Sequence, residues 1–487
     1  MAPNVKSLQG AASSNAHPPP EEQRRHCGAC CNNNRVNDDE HADIDMHSTD
    51  GGNNPICSDI STVSSWVCKA SEKSRRTVNP IRAIVDPILS SRSNKRDDGK
   101  DFINLSLGDP TIYGNLNPPD ALLRAAEKSA SSPLRRSYVN ACGSDDARFA
   151  IAAHHSTENA RVDVDDVIIG CGCSGALELA LTALLDEGSS ILVPSPGFPL
   201  YQVIAESHGA TVKPYRLDPK KNWQCDLEDM GALVDESVRA IIVTNPSNPC
   251  GSVFSEKHLE DICHLAARYH VPLVSDEVYG GIVFGDCKFH PLASISAKLG
   301  NIVPVITASG LAKQFLCPGW RVGWLVIHDN KCGALSNVKV GIKRLAQISL
   351  GASHLAQGVL PAILNPPTAD ASREIFEWKL NLNATLSKQS MFLCDKLMSC
   401  QGLGFVRPEG AMYAMVEVNP EYFDTEITND IDFTKLLLDE ENVFALPGSA
   451  FGAPNFFRIV YCSPVDVLDE AVARIERFCW NHQNRDK

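Results

Sequence analysis

Six short apolar runs, separated by helix-patterned stretches, most constrain what this chain can fold into. They are VDDVIIGCG (164–172), SSILVPSPGF (189–198), RAIIVTNPSNP (239–249), VPLVSDEVY (271–279), VPVITASGLAK (303–313) and WRVGWLVI (320–327). Apolar runs without alternation suit strands covered on both faces. The intervening stretches 174–188 and 255–270 read as helices, the second opening on Ser255 as an N-cap. Alternating β and α elements predict an α/β domain of three layers around a mostly parallel sheet. Ligands of such domains sit beyond the carboxyl ends of the strands. The loops that follow the runs are therefore where chemistry is expected.

The rest of the chain narrows the function classes. Its 487 residues carry 45 Lys and Arg against 59 Asp and Glu, a formal charge of −14. That balance disfavours a general nucleic-acid binder or a protein that docks on anionic membranes. No apolar stretch approaches the length of a membrane span, and the first 20 residues lack the apolar core of a secretory signal. A reducing compartment is expected, the cytoplasm first, with a mitochondrial location left open. The 18 cysteines, such as Cys263 and Cys479, then read as small buried hydrophobes. Residues 1–63 are polar and aperiodic and are expected to be a disordered extension. Its HCGACC cluster (26–31) lacks the second set of ligands that zinc needs. Residues 64–115 read as an N-terminal arm and the start of a small domain, and 116–366 as a large domain. Residues 367–487 read as a smaller α+β domain ending in an amphipathic helix.

Five loops carry the candidate chemistry. Gly170, Gly172 and Gly175 spell G-x-G-x-x-G between a strand and a helix. The dinucleotide fingerprint also needs an acid at the end of the next strand. That strand ends ILVPSP, so a nicotinamide cofactor is not expected. The amides of Cys173 and Ser174, at a helix start, still suit a phosphate. Lys313 follows a buried strand, with Arg321 eight residues on. A nearby cation in a dry site disfavours the ammonium form, and a neutral lysine condenses with an aldehyde. Asp276 ends a strand and could keep a pyridine nitrogen protonated. Tyr279 and Asn248 could reach a ring oxygen, and Phe198 could stack on a flat ring. Each feature alone reads equally as a turn, a cap or a core residue. Converging at one end of a sheet, they describe a pyridoxal phosphate site.

From about Ser64 to Cys479 the sequence resembles the class I/II pyridoxal-phosphate-dependent aminotransferases of fold type I. The strings that carry the resemblance are VNPIRAIVD (78–86), LSLGDPTIYGNL (105–116), LVPSPGFPLY, NPSNPCGSVFS, SDEVYGG, LAKQFLCPGWRVGW, PEGAMY (408–413) and NFFRIV (455–460). NPIR and GDPTIYGNL narrow it to the tyrosine/aromatic branch. The resemblance implies that Lys313 bonds the cofactor and then shuttles protons, and that Asp276 pairs with the ring nitrogen. It implies that Asn248 and Tyr279 contact the ring oxygen, that Phe198 stacks on the ring, and that Arg321, Cys173 and Ser174 hold the phosphate. Arg458 would clamp the substrate α-carboxylate, with Asn248 beside it and Gly108 closing over it. Tyr138 would reach the phosphate site of a second copy, which implies a homodimer.

Two departures stand out. The family's Tyr-Ala-Pro stretch reads Tyr138-Val139-Asn140. A phosphate-binding serine of many relatives is replaced by Gly310, with Ser309 adjacent. The expected activity is amino-group transfer from tyrosine, and from phenylalanine or tryptophan, to 2-oxoglutarate or another 2-oxo acid. Alanine transamination, C–S lysis and a catalytically idle binding relative are the competing readings. Arg407 is a candidate for the second carboxylate of 2-oxoglutarate, although its setting reads first as that of a solvated surface arginine.

Overall fold

A computed structural model describes residues 68–91, 99–329, 331 and 333–485. The extension 1–63 and its HCGACC cluster lie outside the described residues. A short strand β1 (Ile103–Asn104) precedes the large sheet. That sheet is built from β2 (Val167–Cys171), β3 (Ser190–Ser195), β4 (Thr211–Asp218), β5 (Gln224–Cys225), β6 (Val238–Thr244), β7 (Leu273–Asp276), β8 (Val305–Gly310) and β9 (Val322–His328). Their order across the sheet is β2-β9-β8-β7-β6-β3-β4-β5.

All six apolar runs contain strands, and these are six consecutive neighbours in the sheet, from the β2 edge to β3. Five neighbouring strands, β8-β7-β6-β3-β4, run parallel. β9 runs against both its neighbours, and β5 runs against β4. The sheet is thus mixed, with a parallel centre. β4 (TVKPYRLD) was not among the six runs. It lies towards one margin, where only Tyr215 and Leu217 of its eight residues are buried, so its text is mixed rather than apolar. Helices cover both faces, among them Gly172–Leu184 and Glu256–Tyr269. Ser255 caps the latter, its side chain accepting from the His258 amide at 3.2 Å.

The direction of β9 matters for the site. Gly310, the last residue of β8, pairs with Gly323 near the start of β9. Lys313, just past β8, and Arg321, just before β9, therefore share one edge of the sheet.

After residue 366 the chain forms a long helix, Ala369–Leu397. A second sheet follows: β10 (Leu403–Phe405), β11 (Tyr413–Val418), β13 (Leu446–Pro447) and β14 (Phe456–Val460), antiparallel in the order β10-β11-β14-β13. Between them β12 (Val443–Phe444) pairs in parallel with β1, joining the text near residue 103 to this part of the fold. The chain closes on the amphipathic helix Val465–Asn481. Most of the described cysteines are buried and all are free, Cys263 and Cys479 among them. No helix among the described residues is long and apolar enough to cross a membrane.

Candidate active site

The loops after β2, β3, β6, β7 and β8 meet in a cavity of about 630 Å³. Cys173, Ser174, Phe198, Asn248, Asp276, Tyr279, Lys313, Arg321, Gly108 and Arg458 all line it. Two candidate residues, Arg407 and Tyr138, lie outside the cavity lining, and Tyr138 faces water, 89% exposed.

One end of the cavity is built for an anion. The helix Gly172–Leu184 points its first, unpaired amides there, those of Cys173 and Ser174 included. Arg321 adopts a left-handed backbone (φ 53°) and donates to the carbonyl oxygens of Pro318 (3.1 Å) and Cys171 (3.3 Å). No carboxylate pairs with it among the described residues. Gly172 (φ 72°) leaves room for that guanidinium, since a Cβ there would come within 2.6 Å of Arg321 Nη2. Ser309, beside Gly310, is buried and accepts from Gln314 Nε2 at 2.9 Å rather than facing the cavity.

In the middle, Lys313 Nζ donates to the carbonyl oxygen of Gly108. Asp276 is buried at the end of β7, where its Oδ2 accepts from the Tyr201 hydroxyl at 2.8 Å. Its Oδ1 accepts from the Val278 amide at 3.2 Å and faces the Cys173 thiol at 3.8 Å. Burial pushes the Asp276 carboxyl above its usual range, although these donors pull the other way. No cation pairs with it among the described residues. Neighbouring Glu277 points elsewhere: its Oε1 accepts from Ser275 Oγ (2.8 Å) and the Leu292 amide (2.9 Å). Burial pushes its carboxyl up to about 7.

At the far end Arg458 comes from β14 of the second sheet and is 3% exposed. Its Nη1 donates to Asn248 Oδ1 at 2.9 Å and its Nη2 to the Ser106 carbonyl oxygen at 2.5 Å. The rings of Tyr413 and Phe451 each lie 4.5 Å from its Cζ. Its Nε has no partner. Burial works against the guanidinium charge, and no carboxylate among the described residues answers it.

Residues 100–475 match the family model for aminotransferase class I and II. The chain belongs to the class I and II aminotransferases. It is 40% identical to a tyrosine aminotransferase of Bos taurus over 441 residues, 90% of this chain and 95% of the relative. It is 39% identical to one of Dictyostelium discoideum, across 86% of this chain and 98% of the relative. Among solved structures it is similar to the tyrosine aminotransferase of Leishmania infantum, with a TM-score of 0.78 and 33% identity, covering 86% of this chain and all of that one. The fold is that of the fold type I aminotransferases, and the family implies pyridoxal phosphate as cofactor.

The residues of this aminotransferase fit that group. A phosphate answers the unpaired arginine and amides, and a protonated ring nitrogen answers the buried carboxylate of Asp276. A primary amine, Lys313, lines the same cavity. Asn248 Oδ1 is held by Arg458, which leaves its Nδ2 to donate elsewhere.

Sequence reading missed several lining residues. Tyr201 and Tyr413 stand inside signature strings, but their partners, Asp276 and Tyr279, are 75 and 134 residues away. Arg82 and Asn79, in NPIR, also line the cavity. Arg407 does not: its half-exposed side chain bonds Asp395 at 2.7 Å. It is the solvated surface arginine that the sequence favoured, and it brings no charge to the cavity.

Proposed function

We propose that this enzyme transfers the amino group of L-tyrosine, and of other aromatic amino acids, to 2-oxoglutarate or another 2-oxo acid. The products are 4-hydroxyphenylpyruvate and an amino acid, and the cofactor is pyridoxal 5′-phosphate. The observation that carries this reading is the lining of one cavity by Lys313, Asp276 and Arg458 together. The tyrosine aminotransferases among its relatives support the choice of amino donor.

The bound cofactor would supply an electron sink for the charge left when the substrate α-carbon loses a proton. Arg458 holds the α-carboxylate, a planar bidentate task, with the Gly108 backbone closing over it. Lys313 would hold the cofactor and would carry the proton to and from the substrate α-carbon. Asp276 keeps the ring nitrogen protonated. Asn248 Nδ2 and the Tyr279 hydroxyl donate to the ring oxygen, and Phe198 packs on the ring face. Arg321 and the amides of Cys173 and Ser174 hold the phosphate. Arg82, rather than Arg407, supplies the cation for the distal carboxylate of 2-oxoglutarate. Its nearest carboxylate, Asp86, is an exposed partner at 3.2 Å, a weak competitor.

The exposed Tyr138 is offered to the phosphate site of a second copy, which makes the working enzyme a homodimer. Free thiols without a disulfide among the described residues suit the reducing cytoplasm. The test is an absorption spectrum of the cofactor-loaded protein. Tyrosine alone should bleach the visible band, and 2-oxoglutarate should restore it. A band that ignores tyrosine but responds to alanine or a thioether amino acid would overturn the substrate.

A further inference from the structure

Tyr413 sits on β11 with its ring 4.5 Å from the Arg458 guanidinium carbon. Its hydroxyl lies 2.5 Å from that of Tyr279, the two rings meeting edge to face. Both tyrosines are buried, at 2% and 3% exposure. Among the described residues neither hydroxyl has another hydrogen-bond partner.

A phenol has one proton to give and lone pairs to receive. If Tyr279 gave its proton to Tyr413, the proton of Tyr413 would point at no acceptor among the described residues. The satisfied arrangement has Tyr413 donating to Tyr279, which frees the Tyr279 proton to face the cavity. Burial first, then Tyr413, pushes the Tyr279 phenol well above its ordinary range, so it stays a donor. Gly108 leaves the room for this contact, because a Cβ there would overlap the Tyr413 hydroxyl.

We propose that Tyr413 is a positioning residue with two separable duties: its hydroxyl orients and strengthens the Tyr279 donor, and its ring walls the Arg458 clamp. The inference rests on the proposed cofactor site. A donor that is itself receiving a hydrogen bond is a better donor. A strong donor on the ring oxygen lowers that oxygen's proton affinity. Losing the Tyr413 hydroxyl therefore raises the pH at which the visible band of the loaded protein titrates. Losing the ring loosens Arg458 and weakens capture of every amino acid.

The experiment titrates the visible band against pH in wild type, Tyr413→Phe, Tyr279→Phe and the double variant. KM is measured in parallel for two amino acids. Tyr413→Phe should raise the midpoint by roughly half a unit to one unit, the worth of one neutral hydrogen bond, and leave KM within about twofold. Tyr413→Leu should also raise KM roughly five- to thirtyfold for both amino acids, the loss of a desolvated cation–π contact. In the Tyr279→Phe background, Tyr413→Phe should add no further shift. An unmoved midpoint in Tyr413→Phe overturns the proposal, as does an equal shift in the Tyr279→Phe background. Should Tyr413→Phe fail to fold, Gly108→Ala displaces the same hydroxyl and must raise the midpoint only where Tyr279 is present. A wild-type protein with no visible band in the presence of pyridoxal phosphate defeats the proposed function itself, and this inference with it. A normal wild-type band separates the two failures.

Discussion

The hydroxyl of Tyr201 donates to Oδ2 of Asp276 at 2.8 Å, and Thr244 Oγ1 lies 2.9 Å from the same hydroxyl. The helix Leu200–Ser207 supplies the tyrosine, and β7 ends on the aspartate. Asp276 is buried without a cation, so this bond decides how readily it stays ionised.

Tyr201→Phe removes that donor together with its contact to Thr244, and keeps the ring. A hydrogen bond to a charged group is worth about 1.5–3 kcal/mol. Cofactor affinity should fall by at least about tenfold. An absorbance titration with pyridoxal phosphate measures it, and an unchanged affinity would contradict the assignment of Asp276 to the ring nitrogen.

Lys313→Ala removes the only amine that lines the cavity among the described residues. Turnover should fall by more than a thousandfold, beyond the typical range for losing one acid–base group, because the bond to the cofactor goes too. Single-turnover kinetics would reveal appreciable residual transfer, which would sink the role.

Arg458→Lys replaces a fork with a point charge between the Tyr413 and Phe451 rings. KM should rise by about a hundredfold for all amino acids alike. A penalty confined to tyrosine would make Arg458 a side-chain selector rather than the clamp.

Arg82→Gln should leave the half-reaction with tyrosine nearly intact and raise KM for 2-oxoglutarate by roughly tenfold or more. The contrast with a monocarboxylic oxo acid such as pyruvate is the control. Equal loss for both acceptors would remove Arg82 from the distal site.

Acid should unfold the protein early. Burial holds His328 down to about 4, and neither ring nitrogen has a partner among the described residues. Burial also holds His155 well below its usual value, and its Nε2 accepts from Trp324 Nε1 at 2.9 Å, a bond only the neutral ring can make. A folded-state value below that of the unfolded chain means that stability is lost as pH falls from about 6.5 towards 4, at about 1.4 kcal/mol per unit for a fully buried histidine. His482 acts in the opposite sense. Burial lowers its pKa, but the carboxylates of Glu440 and Asp424, 3.1 and 2.9 Å away, outweigh burial and raise it. Its contribution is present below about 6.5 and is lost as pH rises through its raised value. Melting midpoints should therefore fall on both sides of a maximum near neutrality, and His328→Leu should flatten the acid side. An unchanged acid side in that variant would exonerate His328.

Most of the large sheet was legible because its central strands are buried on both faces, which leaves uninterrupted apolar text. β4 escaped because a half-wetted strand spells a mixed pattern. The direction of β9 escaped because the same residues suit either direction. The site was legible where chemistry sits at a strand end, as at Asp276 and Lys313. It was illegible where a role depends on a distant partner. Nothing local marks Tyr413 as the neighbour of Tyr279, or Arg82 rather than Arg407 as the cavity cation. The first pairing arises only when β11 of the second sheet packs against the loop after β7, and the second only when the helix Pro80–Ser91 folds onto the cavity.

Arg458 belongs to one sheet, while Lys313, Asp276 and Arg321 belong to the other, so any molecule held at both ends of the cavity acts as a crosslink. Its binding energy enters the cooperativity of unfolding as well as the chemistry. A substrate analogue that spans the cleft should raise the melting midpoint further than an anion bound only at Arg321, because the first holds both sheets and the second holds one.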